Sequence, residues 1–136
     1  MKATIFKSVL LMATVFVVSC NRDDDKGNKG NAGKGGNAVL RIVPKHHNVF
    51  KNITDCKVYI KYNAQDIPAS YDDSVSTVMM SDQPTAVFSG LKTGDYYIYG
   101  YGYDTSIKQN VKGGMPYTIS SEATLDLSLP VTETHL

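Results

Sequence analysis

The chain has little of what usually announces an activity. Its 14 Lys+Arg stand against 13 Asp+Glu over 136 residues, so neither charge dominates. No basic face argues for nucleic acid, and no acidic surplus argues for a polycation. There are two cysteines, Cys20 and Cys56, too few for a disulfide framework or a paired C-x-x-C metal site. The one long apolar run, Ser8 to Val18, is about eleven residues, roughly half of the ~20 that span a bilayer as a helix. Past residue 20 there is no apolar stripe at helical spacing. Catalytic patterns are missing too: no Ser, His and acid set in a motif context, no paired glutamates, no H-x-H and no H-E-x-x-H. In "VKGGMPY" (111–117) the Gly-Gly reads as a turn before Pro116. It lacks the following helix and the Lys-Ser/Thr pair of a phosphate-cradling loop. An enzyme is not expected.

What is present begins at the N-terminus. Lys2 and Lys7 precede the short apolar run, and the small residue Ser19 precedes Cys20. That is the pattern of a cleaved secretory signal. "VVSC" (17–20) resembles the lipobox at which bacterial lipoproteins are cut and lipidated, with Val17 in place of the preferred leucine. The resemblance implies a signal peptide over 1–19 and a covalent lipid on Cys20 that anchors the chain to a bilayer. More than one acyl chain, at about 0.8 kcal/mol per buried CH₂, would make that anchor stable. Residues 21–37, "NRDDDKGNKGNAGKGGN", hold one alanine and no other apolar residue, so 20–37 is expected to be a disordered tether. Asp23, Asp24 and Asp25 resemble the surface-export signal of Bacteroidota lipoproteins. The implied address is the outer membrane, on its cell-surface side, with the periplasmic side as the alternative.

From Ala38 to the C-terminus the apolar residues alternate with period two between turn residues, which describes strands. Strands are expected over 38–45, 56–64, 76–81, 85–91, 95–104, 116–119 and 123–131. In the second, Cys56, Val58, Ile60 and Tyr62 share a face, and Cys56 reads as a small buried hydrophobe. In the last, Leu125, Leu127, Leu129 and Val131 point inward. About seven short strands in one domain, 38–136, suggest a single antiparallel β-sandwich.

"FSGLKTGDYYIYGYG" (88–102) resembles the L-x-P-G-x-Y run of carboxypeptidase-regulatory-like, Cna-B and transthyretin-like domains. Leu91, Gly94 and Tyr96 match, while Thr93 replaces the proline. The resemblance implies an Ig-like sandwich and no particular activity. The histidine pair with "VYIKY", "YYIYGYGYD" and "GGMPYTI" also resembles small Bacteroidota lipoproteins of no known activity.

Two groups could carry function. If Tyr96 points inward with Ile98, Gly100 and Gly102, then Tyr97, Tyr99, Tyr101 and Tyr103 line the opposite face. Such a strip could stack on sugar rings or anchor a protein, or could serve only cross-strand pairing. His46 and His47 follow Pro44, and a divalent transition metal could be held by them with Asp72, Asp73 or Asp104. Neighbours on a regular strand point apart, so this requires a loop at the pair. His135 is expected in solvent. The leading expectation is a non-enzymatic binding or accessory module at the cell envelope, its ligand a glycan or envelope protein. No cofactor is expected beyond the lipid, and metal binding at the histidines is the alternative.

Overall fold

The computed structural model describes residues 31–134, which are all β: no helix occurs among them. The signal peptide 1–19, Cys20, Asp23, Asp24, Asp25 and His135 lie outside the described residues. Eight strands follow in order: β1 (Lys34–His46), β2 (Ile53–Tyr62), β3 (Asp73–Ser76), β4 (Val78–Met80), β5 (Gln83–Leu91), β6 (Gly94–Asp104), β7 (Gln109–Ile119) and β8 (Thr124–Glu133). They form one mixed sheet in the order β3-β2-β6-β7-β8-β1-β5-β4, curled until it nearly closes as a barrel.

The expected count of about seven strands and their all-antiparallel arrangement are both corrected. The 76–81 run divides between β3 and β4, which pair with different strands, β2 and β5. β1 runs parallel to β8 over eight residue pairs, from Val39↔Thr124 to His46↔Val131. Alternation reports which face a residue occupies but carries no information on strand direction. The β1–β5 ladder ends at Ile42↔Ala86, before Pro44, which has no N–H to contribute.

The tether boundary also moves. β1 begins at Lys34 rather than Ala38, and residues 32 and 33 are tied to the sheet. Ala32 N–H donates to Asn63 Oδ1 at 2.9 Å, and Gly33 N–H donates to Tyr96 Oη at 2.9 Å. Among the described glycines of this segment, Gly36 serves close approach and Gly35 a left-handed backbone. A Cβ on Gly36 would lie 2.1 Å from the Leu91 carbonyl oxygen, and Gly35 has φ +99°.

The turn expected at Gly113-Gly114 is mid-strand in β7. A Cβ on Gly113 would fall 2.1 Å from Pro130 O, so its absence permits β7 and β8 to cross. Those two strands pair only at Val111↔Glu133 and Lys112↔Thr132. The core inside the curl is closed by Leu40, Ile42, Ile60, Phe88, Tyr96 and Leu129, each at most 1 % exposed. Full burial of one such aliphatic or aromatic side chain contributes about 1.5–3 kcal/mol. Gly100 makes room for Leu129 from β8, whose Cδ2 would lie 2.7 Å from a Cβ there.

Candidate functional site

The expected alternation in β6 holds: Tyr96, Ile98, Gly100 and Gly102 are buried on the inner side. Tyr96 Oη donates to Lys92 O at 2.7 Å while accepting from Gly33 N–H. The four outer tyrosines do not form a uniform strip. Tyr97 is 6 % exposed, because its ring lies along the sheet over Gly114, where a Cβ would come 2.8 Å from Tyr97 Oη. Tyr99 and Tyr103 are half-buried, and Tyr101, at 41 % exposed, is the open member.

Two tyrosines outside that strip complete the aromatic group. Antiparallel pairing sets Tyr59 of β2 beside Tyr99, with ring centroids 6.1 Å apart. Tyr71, from the β2–β3 connection, lies over both, 5.7 Å from Tyr99 at 25° and 5.5 Å from Tyr59. Gln65 of the same connection donates to Thr118 Oγ1 of β7 at 3.4 Å, so the segment reaches across the outer face. Burial raises the pKa values of Tyr71 and Tyr99 above the ordinary phenol value, and the neighbouring hydroxyls add to it. Tyr59 and Tyr71 line an open hollow of about 420 Å³ with Asp72, Asp73 and Ser74. Tyr59 could have been found by extending the β2 alternation across the sheet. Tyr71, on an irregular segment, has no periodic signal.

Asp72 belongs to this hollow and not to the histidines, which corrects its assignment as a metal ligand. Its carboxylate accepts from Lys61 Nζ at 3.0 Å and from Tyr62 N–H at 2.8 Å. The Tyr62 N–H lowers the Asp72 pKa, against a small opposing effect of burial. Asp73 is likewise engaged, 3.0 Å from Lys34 Nζ.

The histidines sit at the other end of β1. His46 and Val49 exchange backbone hydrogen bonds of 2.9 and 2.8 Å around His47 and Asn48. Both central residues have positive φ, 47° and 64°, a two-residue turn of type I′. That left-handed step cancels the alternation of a regular strand, so both imidazoles fall on one side, with ring centroids 4.2 Å apart. His46 is 5 % exposed and His47, by its side chain, 76 %.

Asp104, at the end of β6, meets His46 Nδ1 through Oδ2 at 2.7 Å. Its Oδ1 accepts from Ser106 N–H at 2.8 Å and from Ser106 Oγ at 2.5 Å. Burial pushes the Asp104 pKa up, but these bonds outweigh it and hold the carboxyl below its ordinary value. An ionised carboxylate only accepts, so the Nδ1 position of His46 carries the proton. His46 Nε2 is buried and has no hydrogen-bond partner. It faces Glu133 Oε1 at 3.4 Å, and His47 Nε2 lies 3.7 Å from the same oxygen. Glu133 was not anticipated. The parallel β1–β8 register pairs His46 with Val131, and Glu133 is the next residue on that face of β8.

Comparison with protein-family models, curated proteins and solved structures found no match.

Proposed function

We propose that the chain is a lipid-anchored, non-enzymatic binding module of a bacterial cell envelope, with a glycan as its ligand. The anchor is Cys20, the location is the outer membrane, and Asp23, Asp24 and Asp25 direct display at the cell surface; this part rests on the sequence pattern alone. The fold is read as a divergent Ig-like, transthyretin-like sandwich. Two features support that reading. β7 and β8 pair over only two residue pairs, so the sheet bends there into halves β3-β2-β6-β7 and β8-β1-β5-β4. The Tyr96 hydroxyl also returns to the carbonyl of Lys92, four residues upstream, as a tyrosine corner does.

The observation that carries the ligand class is Tyr71 stacked on Tyr99 beside the hollow that Tyr59, Asp72, Asp73 and Ser74 line. Aromatic faces take the C–H faces of sugar rings, and carboxylates and hydroxyls on the same rim accept and donate to sugar hydroxyls. Tyr101 extends the face, with Lys57 and Lys112 as its cross-strand neighbours. A flat aromatic surface of this kind also suits an envelope protein as partner.

The test is binding of the full chain to an array of neutral and acidic envelope glycans. Tyr71→Ser and Tyr101→Ser should each weaken binding at least tenfold while the far-ultraviolet circular dichroism stays unchanged. No glycan bound, or equal binding by folded variants, would sink the glycan reading.

A further inference from the structure

We propose that His46, His47 and Glu133 form a transition-metal site whose occupant is Zn²⁺, with Asp104 holding His46 in the ligating tautomer. One ligand atom from each of His46, His47 and Glu133 lies within 4.8 Å of the other two. Zinc–ligand bonds of about 2.0–2.2 Å put tetrahedral ligands roughly 3.3–3.6 Å apart. The separations of 3.4 Å (His46 Nε2 to Glu133 Oε1) and 3.7 Å (His47 Nε2 to Glu133 Oε1) already approach that edge length. Any remaining closure falls on His47, which is exposed and free to shift.

Two features of His46 point to a ligand rather than to a surface cluster, and the backbone places the second imidazole beside it. The first is His46 Nε2, buried, without a hydrogen-bond partner and aimed at the other two groups. A buried nitrogen left in that state is costly, and an ion would satisfy it. The second is the Asp104 carboxylate on Nδ1, itself fixed by two bonds from Ser106. This carboxylate–histidine pairing orients a metal-binding ring and raises its basicity. His47 takes the left-handed conformation of the first central residue of the two-residue turn. The turn turns its ring onto the side of the sheet that His46 occupies.

Two imidazoles and a carboxylate suit Zn²⁺, and Cu²⁺ and Ni²⁺ compete for the same donors. Three protein ligands leave a fourth position for water or a donor from outside the chain. His47, at 76 % side-chain exposure, leaves the group open to solvent on one side.

The test is isothermal titration of the untagged, metal-stripped full chain with Zn²⁺, with metal content measured after gel filtration. One zinc per chain is expected. Glu133→Gln keeps the side-chain shape and His47→Asn keeps a residue tolerant of positive φ, so both should fold with unchanged circular dichroism. Each should weaken zinc binding at least tenfold, and Asp104→Asn by 10- to 100-fold. Absence of zinc at unit stoichiometry would overturn the assignment and leave His46 as a structural ring between two carboxylates. Unchanged affinity in both His47→Asn and Glu133→Gln would overturn it equally, by placing the ion elsewhere.

Discussion

Tyr96→Phe isolates the one hydroxyl that ties the N-terminal segment to the sheet. Tyr96 is 0 % exposed, and its ring meets Tyr62 edge-on at 5.9 Å. Phenylalanine keeps that packing and removes only Oη. Two bonds are then lost: the 2.7 Å donation to Lys92 O and the 2.9 Å acceptance from Gly33 N–H. A hydrogen bond contributes about 1 kcal/mol net, and a buried group left unsatisfied costs about 1–3 kcal/mol. The expected loss is about 2–3 kcal/mol, or roughly 10 °C in Tm for a domain of about 100 residues. Urea and thermal unfolding measure it, with Tyr101→Phe as a control within about 0.5 kcal/mol of the parent. Amide exchange adds a local reading, since Gly33 N–H should lose its protection while β6 keeps its own. A loss below about 0.5 kcal/mol, with Gly33 still protected, would refute the idea that this hydroxyl anchors residues 32–37.

Further outcomes follow from burial and close approach. Gly36→Ala puts a Cβ 2.1 Å from Leu91 O, a backbone atom that cannot swing away, so urea unfolding should show more than about 2 kcal/mol lost. Gly90→Ala meets no atom closer than 3.7 Å and should cost only the strain of φ +69°. Burial pushes the Cys56 thiol up to about 11 from its ordinary 9.0, so at pH 8 its thiolate fraction is about a hundredfold below that of the unfolded chain. Iodoacetamide should therefore label the native protein about a hundredfold more slowly than the denatured one; comparable rates would contradict the burial. Because the unfolded thiol loses its proton first, this group's contribution is intact below about pH 9 and falls as pH rises toward 11.

The faces that β2, β6 and β8 turn inward were legible from alternation. Val58 and Ile60 in β2, Tyr96 and Ile98 in β6, and Leu129 and Val131 in β8 are buried as period two requires. Leu91, Gly94 and Tyr96 lie at the β5–β6 corner, with Leu91 closing β5 and Gly94 opening β6. Glycine misled twice. Residues 33–36 read as part of a flexible tether and Gly113-Gly114 as a turn, yet at Gly36 and Gly113 the backbone of a neighbouring strand passes too close for a Cβ. Composition counts glycine as freedom, and only the neighbouring backbone shows when it is a requirement.

The candidate sites divide in the same way. The residues at both came from the sequence in part: Tyr99 and Tyr101 on the outer face, His46 and His47 at the end of β1. Of their partners only Asp104, 58 residues from His46, was among the candidates. Tyr71 reaches Tyr99 from an irregular connection and Glu133 arrives through a parallel pairing, and neither was anticipated. By itself the sequence determined which side of β2, β6 and β8 faces the core, because that depends only on near neighbours in the chain. The tertiary structure decided which strands lie side by side and in which direction. Pairing energy is nearly the same for many registers, and the shared core selects one of them.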